Sequence, residues 1–389
     1  MELVPASGLG LRIGDRLEVA IVDRSGQVLL QKGKVIGSDS VLDRLNERGF
    51  FQRRVDEADE PLSSSEQLEA EMQRESSTEG RLARLVEQIN RLLRSLVNPP
   101  SDTTGADLDS VVRWLNELFV RDPDQFIGVQ QLLAYNHALS ERALHAAAVT
   151  KLLAVAEGLP QAQQASLVAA ALTVDVAVVE DHDDLALHRG DLLDHHRQIV
   201  ADHPERAAWL LRAIGIEDEL WLGAVAMHHE RLDGSGYPLG LAGSEIPVGA
   251  RIVALADAFT AMLRPRADRP AYLPKDALRE LFVAGAAKFD ARLVQVLVKQ
   301  LGVFPPGTVV KLANGEVGVC VRRTNDARKP VLRAVIDPGG QLYATPKRRD
   351  IDETASKIVE VLPPERHRNI RSLIVQLWKK DLELTESSG

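Results

Sequence analysis

From about residue 81 to residue 302, apolar side chains recur every three to four positions with hardly a break. "RLARLVEQINRLLRSLV" sets the pattern, and similar runs follow near 107–120, 126–139, 141–157, 161–179, 191–213, 217–229, 250–263, 275–285 and 290–301. A repeat near 3.6 residues gives each helix one apolar stripe, and such stripes are buried by packing helix on helix. The spacing therefore predicts a mainly α protein with a helical core. With 45% hydrophobic and 26% charged residues, the chain has the composition of a globular protein rather than a disordered one.

The periodicity changes at both ends. Residues 1–56 read as a small β-rich or α/β N-terminal domain: "RLEVAIVD" and "QVLLQKG" flank a turn at Arg24-Ser25-Gly26, and "SDSVLDRLNERGF" is a short helix ended by Gly49. Residues 57–80 are acidic and serine-rich and read as a linker with some helical pattern. The helical domain spans 81–302. After Pro305-Pro306-Gly307, a small β appendage covers 303–352, with turns at Asn314-Gly315 and Pro338-Gly339-Gly340. Residues 353–389 read as a closing helix and tail.

A net charge of −9 argues against a nucleic-acid polymer as partner. The single cysteine, Cys320, excludes an intramolecular disulfide and suits a reducing compartment. The N-terminus lacks a signal-peptide pattern, and no apolar run is long enough to span a bilayer. A cytoplasmic protein is the expectation.

The chemistry concentrates in polar residues set among apolar helical runs. Glu141 and His145 are four apart and share a helix face. Asp175 interrupts "LVAAALTVDVAVV", His203 precedes Pro204, and Asp257 sits inside "RIVALADAFTAML". His228 and His229 are adjacent and lead into "ERLDGSGYP". Neighbours on a helix point about 100° apart, so one packing role would not need both. Imidazoles and carboxylates converging from several helices are how bundles build centres of more than one metal ion. The stretch 180–196, "EDHDDLALHRGDLLDHH", also carries histidines but reads as a solvated loop and helix.

"HHERLDGSGYPLGLAGSEIPVGARIVALADAF" resembles the defining segment of the HD-GYP domain, a branch of the HD metal-dependent phosphohydrolases. The likeness runs from about 130 to 302. It implies an HD-type helical bundle and hydrolysis of cyclic di-GMP with two or three divalent ions, iron or manganese. The ligands it implies are Glu141, His145, Asp175, His203, His228, His229 and Asp257, with Asp175 also catalytic. Gly236, Tyr237 and Pro238 form the loop that the family links to partner contacts, including GGDEF-domain proteins; a homodimer is compatible with the pattern. Arg266 and Arg269 match two family arginines, candidates for phosphate contacts, although the Pro-Tyr between them is gone.

The chain also departs from this pattern. Val174 stands where the histidine of the HD pair belongs, and Val178 where a lysine would meet phosphate. Thr260 replaces a frequent aspartate. Valine cannot ligate, so fewer ions are expected. A missing cation removes on the order of 3 kcal/mol of transition-state stabilisation. Two further readings follow: an HD-GYP module that binds cyclic di-GMP or a partner protein without cleaving, and a phosphohydrolase of another nucleotide.

Overall fold

The computed structural model describes residues 2–5, 11, 15–17, 20–23, 27–48, 50–53, 63–97, 104–133, 137–188, 190, 193–265, 269–283 and 285–379. The chain divides into two units, Met1–Ser63 and Ser64–Gly389.

In the first unit, strands β1 (Glu2–Pro5), β2 (Ile21–Val22), β3 (Val28–Leu30) and β4 (Phe50–Arg53) form an antiparallel sheet in the order β1-β4-β2-β3. Helix α1 (Asp39–Arg48) accompanies it, and Leu17, Ile21, Ile36 and Leu45 make its small core. The expected turn at 24–26 and the stop at Gly49 lie outside the described residues. "FFQR", not read as a strand from the sequence, is β4, because pairing with both β1 and β2 supplies what its short pattern could not signal.

The second unit opens with α2 (Ser64–Arg74), α3 (Thr78–Val97), α4 (Thr104–Arg121) and α5 (Pro123–Leu132). Helix α2 is the helical part of the segment 57–80, and it packs into the core rather than linking freely. Leu68 and Met72, four residues apart and surrounded by charge, are fully buried in the main core. Two apolar residues are too few to register as a stripe, yet enough to seat one turn of helix.

The centre of the bundle is α6 (Ala138–Ala156), packed against α7 (Gln161–Thr173) and α11 (Val248–Met262). Both α6 and α7 are alanine-rich, which lets helix axes approach closely. Helices α8 (His182–Leu187), α9 (Asp194–Ala213), α10 (Glu219–Ala226), α12 (Pro274–Val283) and α13 (Ala291–Leu301) complete the layer. Asp122 and Asp218 cap α5 and α10 by accepting from backbone N–H groups of the first turn.

A five-stranded antiparallel sheet follows, ordered β8-β7-β6-β5-β9: β5 (Val309–Leu312), β6 (Val317–Arg322), β7 (Val331–Ile336), β8 (Leu342–Arg349) and β9 (Ile358–Leu362). Its hairpins turn at 313–316 and 337–341, where the Asn-Gly and Pro-Gly-Gly signals stand, and Gly315 and Gly340 take positive φ. The sheet runs past the expected boundary at 352, because β9 pairs with β5. The tail is a 3-10 segment (Pro364–Leu373) and one turn of helix, α14 (Ile374–Leu377), rather than one closing helix.

Sheet and bundle share one core. Arg322 pairs with Asp122 and Arg323 with Asp124, so β6 is tied to the start of α5. The Trp378 indole donates to the Val321 carbonyl at 2.8 Å. Among the described residues no helix is long and apolar enough to cross a membrane.

Candidate metal centre

The sequence places a proline directly after His203, and this decides what His203 does. Helix α9 continues through Pro204, which has no N–H to give the Val200 carbonyl four residues back. The His203 ring takes that acceptor instead, its Nδ1 lying 2.7 Å from Val200 O. His228 repeats the device at the end of α10, where the last carbonyls lack intrahelical partners: its Nδ1 lies 2.6 Å from Val225 O. A carbonyl can only accept, so both rings carry their proton on Nδ1.

Burial pushes the pKa of His203 down and that of His228 down to about 3, so both are neutral and both Nε2 atoms are bare. Those two Nε2 atoms lie 3.2 Å apart. Two lone pairs facing each other repel; a cation between them removes the repulsion. His229, also held well below the usual range by burial, completes a trio whose donor atoms all fall within 4.8 Å of one another. Neutral imidazoles are the ligating form. The trio fits a divalent ion.

Asp175 comes to the same place because α7 stops before it. Asp175 has φ −100° and ψ 11°, between α7 and a 3-10 turn at Val176–Val178. One of its carboxylate oxygens is 4.0 Å from His203 Nε2. Asp257 is buried on α11. Between the two carboxylates lies Arg142 of α6, which pairs with Asp175 through one nitrogen and with Asp257 through the other at 2.7 Å. No sequence pattern marked Arg142; its role exists only where α6, the end of α7 and α11 meet.

Glu141 and His145 lie on α6 beside Arg142 but are engaged differently. Glu141 accepts from Arg264 at 2.8 Å. The His145 ring packs edge-on to Phe259, and its buried Nε2 has no hydrogen-bond partner among the described residues. Burial takes the His145 pKa down to about 3, so this ring too is neutral. Three carboxylates thus face two guanidinium groups, with His145, His203, His228 and His229 neutral beside them.

The loop after His229 is held by Glu230. Its two oxygens accept from Leu239 N–H at 2.7 Å and Leu241 N–H at 2.9 Å, so it organises the loop instead of standing free as a ligand. Gly236 passes so close that a Cβ there would lie 2.4 Å from the Arg231 nitrogen. Tyr237, which precedes a cis Pro238, lays its ring 4.7 Å from that of His229.

Val174 and Val178 are buried, and the Thr260 hydroxyl bonds back to the Ala256 carbonyl, so these departures from the resemblance supply no ligand. Arg269 donates to the Ala261 and Met262 carbonyls at the end of α11 and stacks on Tyr272. Arg266 lies outside the described residues.

Residues 129–293 match a protein-family model described as an HD domain. A cyclic di-GMP phosphodiesterase of Pseudomonas aeruginosa is 30% identical over 164 residues, which cover 42% of this chain and 39% of that protein. The cyclic di-GMP phosphodiesterase response regulator RpfG of Xanthomonas campestris is 32% identical over 191 residues, 48% of this chain and 50% of that protein. Residues 129–293 of this chain are therefore similar to an HD domain. The chain spans half or less of the length of these curated relatives. A 3'3'-cGAMP-specific phosphodiesterase of Vibrio cholerae is also similar, 32% identical over 122 residues, 30% of this chain and 23% of that protein. A solved HDG"Y"P protein from Bdellovibrio bacteriovorus has a TM-score of 0.49 at 17% identity, covering 76% of this chain and 97% of that one.

Proposed function

We propose that this protein is a metal-dependent cyclic di-GMP phosphodiesterase whose metal centre is altered by the loss of one histidine. The observation that carries the reading is the pair of bare Nε2 atoms 3.2 Å apart, each ring locked by its own Nδ1 bond. His203, His228 and His229 would hold an ion, with Asp175 and Asp257 beside it and Glu141 and His145 supporting a further one. A bound divalent ion of the iron or manganese kind supplies Lewis-acid stabilisation of phosphodiester charge and acidifies water.

The chain's own residues do the rest. Val200 and Val225 carbonyls fix the histidine tautomers; Glu230 and Gly236 set the loop that places Tyr237 over His229. Arg142 puts fixed positive charge between Asp175 and Asp257, where Val174 and Val178 bring none. Cyclic di-GMP is the substrate proposed because the relatives with the longest matches act on it, and signalling through that nucleotide is the role. The loop Gly236–Pro238 is the surface proposed for a GGDEF-domain partner.

The engagement of both carboxylates by Arg142 favours one alternative, a module that binds the nucleotide without cleaving it. Anaerobic incubation with cyclic di-GMP and Mn(II) or Fe(II), with products resolved by chromatography, separates the two. Linear dinucleotide or GMP, lost in Asp257→Ala, is the expected result. Binding without product would replace the enzyme by the receptor, and cleavage of 3'3'-cGAMP alone would replace the substrate.

A further inference from the structure

The stretch 180–196, expected from its sequence to be solvated, is buried at its critical residue. His196 is 2% exposed, whereas Asp184 and His195 are exposed. Asp184 belongs to α8, and both histidines sit in the first turn of α9. The His196 Nε2 lies 2.8 Å from an Asp184 carboxylate oxygen. Its Nδ1 is buried with no hydrogen-bond partner among the described residues. The His195 ring lies 4.0 Å from the His196 ring, centroid to centroid, and the His188 ring 4.9 Å from it. One donor atom from each of Asp184, His195 and His196 falls within 4.8 Å of the other two.

The His196 Nε2 and the Asp184 carboxylate already face each other, with the His195 ring beside them. We propose that Asp184, His195 and His196 form a second divalent-metal site, of the zinc class, distinct from the centre at His203, His228 and His229. Two imidazoles and one carboxylate without a thiolate suit a borderline ion, with water completing the shell. Ligand atoms around a tetrahedral ion bound at 2.0–2.2 Å stand roughly 3.5 Å apart, so the Asp184–His196 pair, now at 2.8 Å, would open slightly as His195 draws in. The exposed side chains of Asp184 and His195 can make that movement. The positive end of α9 opposes a cation there, and the Asp184 carboxylate offsets it.

His196 and His203 are seven residues apart on α9, about 10 Å along the helix axis, so the two sites do not share ligands. The site stands independently of the cyclic di-GMP reading. Its effect would be structural: α8 has only six residues, too few to hold a helix alone, and the ion would staple it to α9. That fastens the chain between Asp175 and His203.

The test uses the full chain, stripped with chelator and dialysed against micromolar Zn²⁺, with zinc counted by mass spectrometry. Asp184→Asn with His195→Gln, both at exposed positions, should bind one equivalent less than the unaltered protein. His229→Ala should keep that equivalent. In the unaltered protein, zinc should slow hydrogen exchange across 182–196, and in the double variant it should not. An unchanged zinc count, or exchange across 182–196 indifferent to zinc in the unaltered protein, overturns the site.

Discussion

Arg142 illustrates how much one side chain decides. Its guanidinium joins the half-buried Asp175 to the buried Asp257. Breaking a buried pair by removing one partner costs about 3–5 kcal/mol, because the charge left behind is uncompensated. Arg142→Leu should therefore lower the melting temperature of the metal-free protein. Manganese should restore more stability to this variant than it adds to the unaltered protein, since the ion then meets two free carboxylates. Equal metal-induced shifts in thermal denaturation would show that Arg142 does not compete for that space. Glu316, in the turn between β5 and β6, is a second case. Arg349 binds it with two nitrogens at 2.5 and 2.6 Å, with Tyr343 and Asn314 adding further bonds, and together they hold its pKa down to about 2 against burial, which raises it. A carboxyl depressed from 4.5 to about 2 contributes stability that is fully present above the unfolded value and lost as pH falls through the folded one. At neutral pH that is on the order of 3 kcal/mol. Urea unfolding of Glu316→Gln should show a loss of that size at pH 7, and the gap to the unaltered protein should narrow between about pH 4.5 and pH 2.

Elements here are positioned by close backbone approach as much as by apolar stripes. Gly128 of α5 is the clearest instance, for a Cβ there would lie 2.2 Å from the Trp378 ring and 3.1 Å from the Gly307 nitrogen. The glycine lets α5 carry both the tryptophan of the tail and the loop that opens the sheet. Gly128→Ala should destabilise by about 1–3 kcal/mol through overpacking, seen as a lower urea midpoint with an unchanged slope. No loss would mean that Trp378 is free to move aside. The elements that the sequence missed share a physical reason. Strand β4 and strand β9 are short, and each is stabilised by partners distant in the chain. Helix α2 presents only two buried apolar residues among acidic ones. In each, tertiary pairing outweighed local pattern.

At the scale of the whole molecule, Met1–Ser63 and Ser64–Gly389 each have their own core. A fragment of residues 64–389 should fold by itself and melt in one cooperative step, because bundle and sheet share buried residues. A broad or two-step melt by circular dichroism would separate sheet from bundle. The mainly α character, the run of helices and the two hairpin turns were legible in the sequence, since helical period and turn residues report local conformation directly. The histidine tautomers were half legible: His203-Pro204 announces a freed carbonyl, but that the ring turns back to it is a matter of packing. What the sequence by itself determined was the set of residues able to ligate and the valine that replaces one of them. Only the tertiary structure decided that Arg142 joins two of the carboxylates, that Glu230 serves the loop, and that His196 is buried with a nitrogen to spare. Each of these depends on side chains brought together from different helices, and such distances are set by how the core packs, not by spacing along the chain.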